Sequence, residues 1–285
     1  RHPVWRVPIH SLYGKHRRPT AAMLGGIDTL VLDLQDLAAR PYTYVSTLRF
    51  VMEEAERHGK TVIVADRPVP LPGTIDGPVL DPPFESFVGA VRTPVAYGMT
   101  PGETARWIRT SMGLKNLDLK VAPLQGYRRE ASRGVDWPPW IPPSPGIRSW
   151  ESAWCYTATV FLEALPAVDH GRGTGLPFQV FGSPWMRGQP VCEQLNSLGL
   201  PGVEFHPHPY YNPGKGATIP LLNGVRMTIT VPDRFRPVLT GVAILHTLQT
   251  LYGKSRIWNS PATRPDFFDK LFGTREVRQR LLDME

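Results

Sequence analysis

The sequence predicts an α/β protein, with a parallel sheet in the first part of the chain and a smaller α+β unit in the last part. Apolar runs of strand length alternate with amphipathic stretches of helix length up to about residue 123. After residue 165 the pattern changes to short strands, turns and a few helices. The 285 residues, 41% of them apolar, are enough for one large domain or two modest ones. We therefore place a domain boundary near residue 165, between domains 1–165 and 166–285.

Three apolar runs predict the strands of the sheet. They cover residues 28–33 (DTLVLD), 61–66 (TVIVAD) and 118–123 (DLKVAP). Stretches of helix length separate them, which implies parallel pairing through right-handed crossovers. Ligands of such sheets bind outside the carboxyl ends of the strands. The polar residues that follow the three runs are therefore expected to converge on one crevice.

The connections between these strands are predicted as helices and long loops. Residues 43–59 have apolar side chains at helical spacing and end in a glycine. A second helix is expected after Thr100, which is a suitable N-cap and precedes a proline in the first helical position. Long loops are expected at 67–99 and at 126–148, the second of which is rich in Trp and Pro.

The last part of the chain is predicted to mix helices with short strands. A helix is expected at 149–163 with Ser149 as its N-cap. Short strands and turns follow in FQVFGSPW, GVEFHPHPYYNPG and GVRMTITV. A further helix is expected at 236–252, and a pair of short helices at 265–283.

Composition narrows the classes of partner and compartment. The net charge of +7 is scattered, and no helix-turn-helix pattern or RNA-binding aromatic signature is present, so we expect a general preference for anionic surfaces and no nucleic acid as partner. No apolar run approaches the roughly 20 residues of a membrane span. No signal peptide is visible, and we expect that the first residue is not the natural start.

Cys155 and Cys192 lie in apolar surroundings, so buried free thiols are expected, with one disulfide as the alternative.

Short motifs do not predict a cofactor or a metal. The glycines at 171–175 (GRGTG) lack the spacing of a dinucleotide-binding loop, and GKS at 253–255 lacks the earlier glycine of a P-loop. His206 and His208 could contact a metal, but no neighbouring acid or cysteine completes a ligand set. We therefore expect no cofactor and no metal.

The polar residues at the predicted strand ends form the candidate site. Carboxylates in such a place can act as general acid, general base or nucleophile, because burial and neighbouring charges shift their pKa values. Arginines there are suited to bind a substrate carboxylate as a fork. Three further candidates are Glu163, which ends the helix predicted at 149–163, and His170 and Arg172, which follow it. The strand-end candidates are Asp33, Asp36, Arg40, Tyr42, Tyr44, Asp66 and Arg67.

Each candidate also has a structural interpretation. Asp33 could cap the turn after its strand, and Asp66 with Arg67 could form an ion pair that braces a loop. Tyr42 and Tyr44 could pack at the start of a helix, and His170 could be an ordinary loop residue. From these residues alone the chain is an α/β protein with an acidic and basic crevice.

Several long blocks resemble the exo-β-N-acetylmuramidase family of bacterial cell-wall recycling, also known as DUF1343. They include GIDTLVLDLQDLAARPYTYVSTL, VADRPVPLPGTIDGPVLDPPFESFVG, PPSPGIRSWESAWCYTATVFLEA and GRGTGLPF. The resemblance covers nearly the whole chain. It implies a Rossmann-like domain with the active cleft and a smaller C-terminal domain beside it. Family members usually carry an N-terminal SPEHG block, whose Glu is a favoured catalytic acid, and these 285 residues contain no such block.

The resemblance implies an exo-acting glycoside hydrolase that releases terminal N-acetylmuramic acid, or a related amino sugar, from peptidoglycan fragments. It also implies a secreted, periplasmic or cell-envelope protein. We expect Glu163, Asp33 and Asp36 to be catalytic or to orient the substrate. The lactyl carboxylate of the sugar suits Arg40, Arg67 and Arg172. The alternative is a muropeptide-binding protein of the same fold with impaired catalysis.

Overall fold

The structure is a computed structural model, and it describes residues 1–129, 140–213 and 220–284. Its first part contains the predicted parallel sheet, in the order β1-β2-β3. The strands are β1 (Thr29–Leu32), β2 (Thr61–Ala65) and β3 (Leu119–Ala122). The α/β prediction is therefore confirmed, and each observed strand lies within the range predicted for it.

Two helices connect these strands, and both lie on one face of the sheet. Helix α2 (Tyr44–Arg57) follows β1, and helix α3 (Pro101–Ser111) follows β2. Helix α3 begins with a capping box, because Thr100 accepts from the Glu103 backbone amide and the Glu103 side chain accepts from the Thr100 amide. A short helix, α1 (Ala21–Leu24), precedes β1 and was not predicted.

The alternation along the strands decides which face is buried. Leu32, Val62 and Val64 point toward α2 and α3 and are buried with Leu48 and Ile108 in one apolar cluster. The register pairs Leu32 with Val64, so both belong to the same face. Because the three strands run parallel, their carboxyl ends lie at one edge of the sheet.

The long loops carry little regular structure. The loop predicted at 67–99 contains one 3-10 turn, Pro82–Phe84. The loop predicted at 126–148 is described at 126–129 and 140–148, and its central residues 130–139 lie outside the described residues.

The last part of the chain contains an antiparallel sheet in the order β4-β6-β5. Its strands are β4 (Val180–Ser183), β5 (Val203–Pro207) and β6 (Asn223–Ile229). Part of the predicted strand-and-turn region is in fact a helix, α5 (Gly188–Ser197). Its N-cap residue is Arg187, which makes no side-chain cap bond, so the polar capping residue that usually marks a helix start is missing.

The remaining helices agree with the prediction apart from one addition. Residues predicted as one helix at 149–163 form α4 (Trp150–Thr159), which continues as a 3-10 helix at Val160–Ala164. Ser149 caps α4 as expected. The helices after β6 are α6 (Pro237–Tyr252), α7 (Lys254–Trp258), α8 (Pro265–Phe272) and α9 (Glu276–Asp283). Of these, α7 was not predicted.

Several contacts join the first and last parts of the chain, and two of them involve α6. Helix α4 packs closely on α6, where a Cβ added at Gly241 would lie 2.4 Å from the Ala158 carbonyl oxygen. Asp76, in the long loop after β2, accepts from the Val238 and Leu239 amides at the start of α6. The boundary near residue 165 stays a prediction.

Two further observations concern the whole of the described chain. Cys155 and Cys192 are both buried free thiols, so the disulfide alternative does not hold. Among the described residues, no helix combines the length and the apolar character needed to cross a membrane.

Candidate active site

Asp33 and Arg67 form an ion pair across the carboxyl ends of β1 and β2. The Arg67 Nε donates to Asp33 Oδ1 at 2.5 Å, as expected for residues that follow neighbouring parallel strands. This hydrogen bond is the main reason that the pKa of Asp33 is lowered. The Asp33 side chain remains 54% exposed, so an ionised carboxylate is available to solvent at this edge of the sheet.

Asp66 is used by the protein itself. It accepts hydrogen bonds from the Thr100 hydroxyl at 3.0 Å and from the Gly102 amide at 2.8 Å, at the first turn of α3. A Cβ at Gly102 would lie 2.9 Å from the Asp66 carboxylate, so only glycine allows this approach. These contacts hold the start of α3, and the ion pair considered between Asp66 and Arg67 is replaced by one between Arg67 and Asp33.

Asp36 is a buried carboxyl group, 4% exposed, in the loop after β1. Its Oδ2 accepts from the Tyr97 hydroxyl at 2.7 Å. Burial raises the pKa of Asp36 to about 6, and the hydrogen bond from Tyr97 opposes that shift. Asp36 also borders a cavity of about 10 Å³ with Leu34 and Tyr44, which has room for about one water molecule and none for a sugar.

Arg40 is a buried structural residue. Its guanidinium is completely buried and donates to the carbonyl oxygens of Thr93 at 2.5 Å, Pro78 at 3.1 Å and Phe272 at 2.5 Å. A Cβ at Gly273 would lie 2.3 Å from Arg40 Nη2, so α8 closes over the side chain. The expectation that Arg40 forms part of a carboxylate fork is therefore wrong, because no substrate can reach it.

Tyr42 and Tyr44 start a row of aromatic side chains. The Tyr42 ring lies 4.9 Å from the Tyr44 ring and meets the Tyr156 ring edge-on at 5.5 Å. The Tyr44 hydroxyl donates to the Pro143 carbonyl at 2.6 Å. Burial raises the pKa of Tyr42 far above its usual range, so it stays neutral.

Glu163 lies at the end of the 3-10 helix with three cationic or titratable neighbours. Arg172 Nη1 donates to Glu163 Oε1 at 3.1 Å, and His170 Nε2 lies 3.9 Å from the same oxygen. Arg264 donates to the Glu163 backbone carbonyl at 2.5 Å. Burial raises the pKa of Glu163, although Arg172 and Arg264 oppose the shift.

The aromatic row connects the Glu163 group to the Asp36 loop. The Tyr156 ring contacts the Phe178 ring at 5.0 Å, and the His170 ring lies 5.4 Å from Phe178. Burial raises the pKa of Tyr156, and the carboxylates of Glu163 and Asp36 both add to the shift. Tyr156 therefore lies within electrostatic range of both acids.

The structure thus brings some candidates together and leaves others apart. Glu163, His170 and Arg172 form one cluster, which the aromatic row joins to Tyr42 and Asp36, whereas Asp33 and Arg67 form a separate exposed pair. Sequence reasoning missed four contributors, namely Tyr97, Tyr156, Phe178 and Arg264. Only Tyr156 carried a local signal, because it lies seven residues before Glu163 and helical spacing puts such residues on one face.

Two family models match the chain. The N-terminal model of exo-beta-N-acetylmuramidase NamZ matches residues 1–151, and the C-terminal model of the same family matches residues 154–285. The peptidoglycan beta-N-acetylmuramidase NamZ of Bacillus subtilis (strain 168) is 36% identical over 279 residues, which is 96% of this chain and 65% of that protein. The chain therefore spans slightly less than two thirds of the length of this curated relative.

Two solved structures are similar over most of the chain. Both are DUF1343 family proteins from Bacteroides fragilis NCTC 9343. One superposes with a TM-score of 0.89 at 33% identity, over 97% of this chain and 73% of the other. The second has a TM-score of 0.69 at 25% identity, over 92% and 69%. With both family models matched along its length, the chain belongs to the exo-beta-N-acetylmuramidase NamZ family.

Proposed function

We propose that this protein is a glycoside hydrolase that acts on peptidoglycan and releases terminal N-acetylmuramic acid, or a related amino sugar, from its fragments. Family membership supports the reaction class, since both matched models describe an exo-beta-N-acetylmuramidase. The observation that carries the proposal at the level of residues is the Glu163 cluster. It combines a largely buried acid, an arginine and a row of aromatic rings.

Glu163 is suited to proton transfer. Glycoside hydrolysis needs an acid that is still protonated near neutral pH, and burial raises the pKa of Glu163 in that direction. The pKa of Asp33 is shifted the opposite way by Arg67, so that carboxylate stays ionised.

Arg172 is suited to bind the lactyl carboxylate of muramic acid. Its side chain is 62% exposed while one nitrogen contacts Glu163, so the remaining donors face solvent. An exposed guanidinium can take a carboxylate through two parallel hydrogen bonds. His170, 12% exposed and beside Glu163, would position the acid or a sugar hydroxyl.

The test is hydrolysis of a chromogenic N-acetylmuramic acid glycoside by the complete gene product. Glu163→Gln keeps the size of the side chain and removes the proton donor, so kcat should fall by about 100-fold or more. Glu151→Gln is the matched control, because Glu151 lies exposed in the first turn of α4. Equal activity of Glu163→Gln and the control would remove Glu163 from the mechanism.

Calorimetry separates the hydrolase from the alternative of a catalytically impaired muropeptide-binding protein. Heat of binding with a muropeptide, without release of the terminal sugar, would favour the binding protein. Release of sugar with Arg172→Lys showing a raised KM and little change in kcat would support the assigned fork.

The proposal includes location in the cell envelope or outside the cell, where peptidoglycan fragments occur. Immunoblots of envelope, periplasmic and cytoplasmic fractions test this point. Detection in the cytoplasmic fraction alone would contradict it.

A further inference from the structure

The loop at residues 170–178 closes on itself and is anchored on the antiparallel sheet. The Phe178 amide donates to the His170 carbonyl oxygen at 2.9 Å, which joins the two ends of the loop. The residue before it, Asp169, exchanges two backbone hydrogen bonds with Gly182 of β4, at 2.8 and 3.0 Å. The last part of the chain therefore sets where the 170–178 loop begins.

The Asp169 side chain is the centre of this anchor. It is 4% exposed, and its Oδ1 accepts from the Gly171 amide and from the Tyr210 hydroxyl, both at 2.7 Å. Its Oδ2 accepts from Asn212 Nδ2 at 2.8 Å. Tyr210 and Asn212 belong to the connection between β5 and β6. A buried carboxylate with several donors stabilises one arrangement of the groups around it.

Asn212 extends the anchor to Arg172. Besides its bond to Asp169, Asn212 Nδ2 donates to the Arg172 carbonyl oxygen at 2.9 Å. The backbone is therefore held on both sides of the Arg172 side chain, at the Gly171 amide and at the Arg172 carbonyl. The side chain itself stays 62% exposed and contacts Glu163 through Nη1. An accessible guanidinium thus stands on a fixed piece of backbone.

Close packing leaves this arrangement little freedom to shift. Gly171 has a φ of +73°, and a Cβ there would lie 2.6 Å from the Leu176 carbonyl oxygen, so only glycine fits. The Tyr210 ring lies against two paired glycines of the sheet. A Cβ at Gly224 would be 2.5 Å from Tyr210 Cε1, and one at Gly182 would be 3.1 Å from the same atom. The ring position, and with it the direction of the hydroxyl, is therefore fixed.

We propose that Asp169, Tyr210 and Asn212 are positioning residues, which hold Arg172 in place for the lactyl carboxylate of the ligand. The inference rests on the proposed function, since it concerns the same arginine. All three side chains are at least nine-tenths buried, so they act through Arg172. A long side chain on a fixed backbone has less freedom to lose when it binds, and it presents its donors in one direction. The antiparallel sheet thereby contributes to the choice of sugar.

Affinity for two sugars tests the proposal. N-acetylmuramic acid and N-acetylglucosamine differ only in the lactyl group, so the ratio of their dissociation constants, measured by calorimetry with the complete gene product, reports on the contact with Arg172. We expect Asn212→Ala to weaken binding of N-acetylmuramic acid by about tenfold and to change that of N-acetylglucosamine by less than about twofold. Tyr210→Phe removes one donor to Asp169 and should weaken the first sugar alone by about threefold. With the chromogenic glycoside, both variants should raise KM by these factors and leave kcat within about twofold.

Asn196→Ala is the matched control. The Asn196 side chain makes two hydrogen bonds with the Phe205 backbone, at 2.9 and 3.0 Å, and so joins α5 to β5 in the same part of the chain. The variant undergoes the same substitution but keeps the bonds that hold Arg172, so the ratio of the two dissociation constants should not change. A merely structural role of Asn212 would lower the folded fraction and affect both sugars alike.

A double-mutant cycle completes the test. In a protein that already carries Arg172→Ala, adding Asn212→Ala should cause no further loss of affinity for N-acetylmuramic acid, and additive losses would overturn the proposal. Equal weakening of both sugars by Asn212→Ala, or an unchanged ratio in Asn212→Ala and Tyr210→Phe, would also overturn it. An unsubstituted protein that does not prefer N-acetylmuramic acid would instead contradict the role given to Arg172 in the proposed function, and the inference would fail with it.

Discussion

Asp76 holds the start of α6 although 160 residues separate the two in sequence. Asp76 Oδ2 accepts from the Val238 amide at 2.8 Å and from the Leu239 amide at 3.2 Å. Asp76 Oδ1 accepts from Arg236 Nη2 at 3.0 Å. The carboxylate therefore caps a helix whose own N-cap residue makes no side-chain cap bond.

We expect Asp76→Ala to lower the free energy of unfolding, because it removes these contacts. Two helix amides lose their acceptor in a site where Asp76 is 6% exposed, at about 1 kcal/mol or more each. The loss of a negative charge at the positive end of the helix adds about 0.5–1 kcal/mol. We expect a decrease of about 3 kcal/mol in the free energy of unfolding, or about 6 °C or more in Tm for a chain of this size.

The assay is urea unfolding followed by tryptophan fluorescence, with calorimetric Tm as a second readout. Asp28→Ala is the control, since Asp28 is exposed, and it should change stability by less than about 0.5 kcal/mol. Arg236→Met removes only the ion pair, in which Arg236 is 51% exposed, and should cost about 1 kcal/mol or less. A value for Asp76→Ala indistinguishable from Asp28→Ala would refute the capping argument.

Three further predictions concern other buried sites. Burial raises the pKa of Asp36 from 3.8 to about 6, so the folded protein binds the proton more tightly than the unfolded chain. The free energy of unfolding should therefore fall by up to about 3 kcal/mol as pH rises between these values. Urea titrations at several pH values should show that Asp36→Asn flattens this dependence. Gly241→Ala should lower stability by about 2 kcal/mol or more, measured by the same titrations, since the new Cβ would meet the Ala158 carbonyl oxygen at 2.4 Å. Cys155 and Cys192 should react with a thiol reagent only after unfolding, because burial raises both thiol pKa values, as absorbance of the released chromophore would show.

Each of these has a control and a contrary outcome. An Asp36→Asn protein that keeps the wild-type pH profile would assign the dependence to another group. Gly26→Ala, where nothing lies within 4 Å of the added Cβ, should be close to neutral, and an equal loss in both glycine variants would contradict the packing argument. Rapid reaction of either cysteine in the native protein would show an opening that the structure does not contain.

The parallel sheet could be predicted because its signals are local. Each signal can be recognised within about 15 residues: an apolar run, the N-cap at Thr100, or a change from a stretch of strand length to one of helix length. The closeness of Asp33 and Arg67 followed from the same pattern, since residues after neighbouring parallel strands meet at one edge, but the partner considered for Arg67 was Asp66. Helix α5 was missed because its start carries no capping signal and its stability comes from packing.

Arg40 shows why the site was harder to predict than the fold. A basic residue after a strand suggests a ligand contact. The residues near Arg40 in sequence do not indicate that its guanidinium donates a hydrogen bond to the Phe272 carbonyl oxygen. Asp36 is similar, because its partner Tyr97 lies 61 residues further along the chain. Such roles depend on long-range contacts, and a single sequence does not contain them in readable form.

The burial of Arg40 beneath α8 bears on how the chain is made. The two family regions meet between residues 151 and 154, which invites their expression as separate halves. An N-terminal half alone would keep a guanidinium whose acceptor at Phe272 is missing. During synthesis, the first region would likewise not complete its folding until residue 272 had left the ribosome. The boundary between the two family regions is therefore not a boundary between independent folding units.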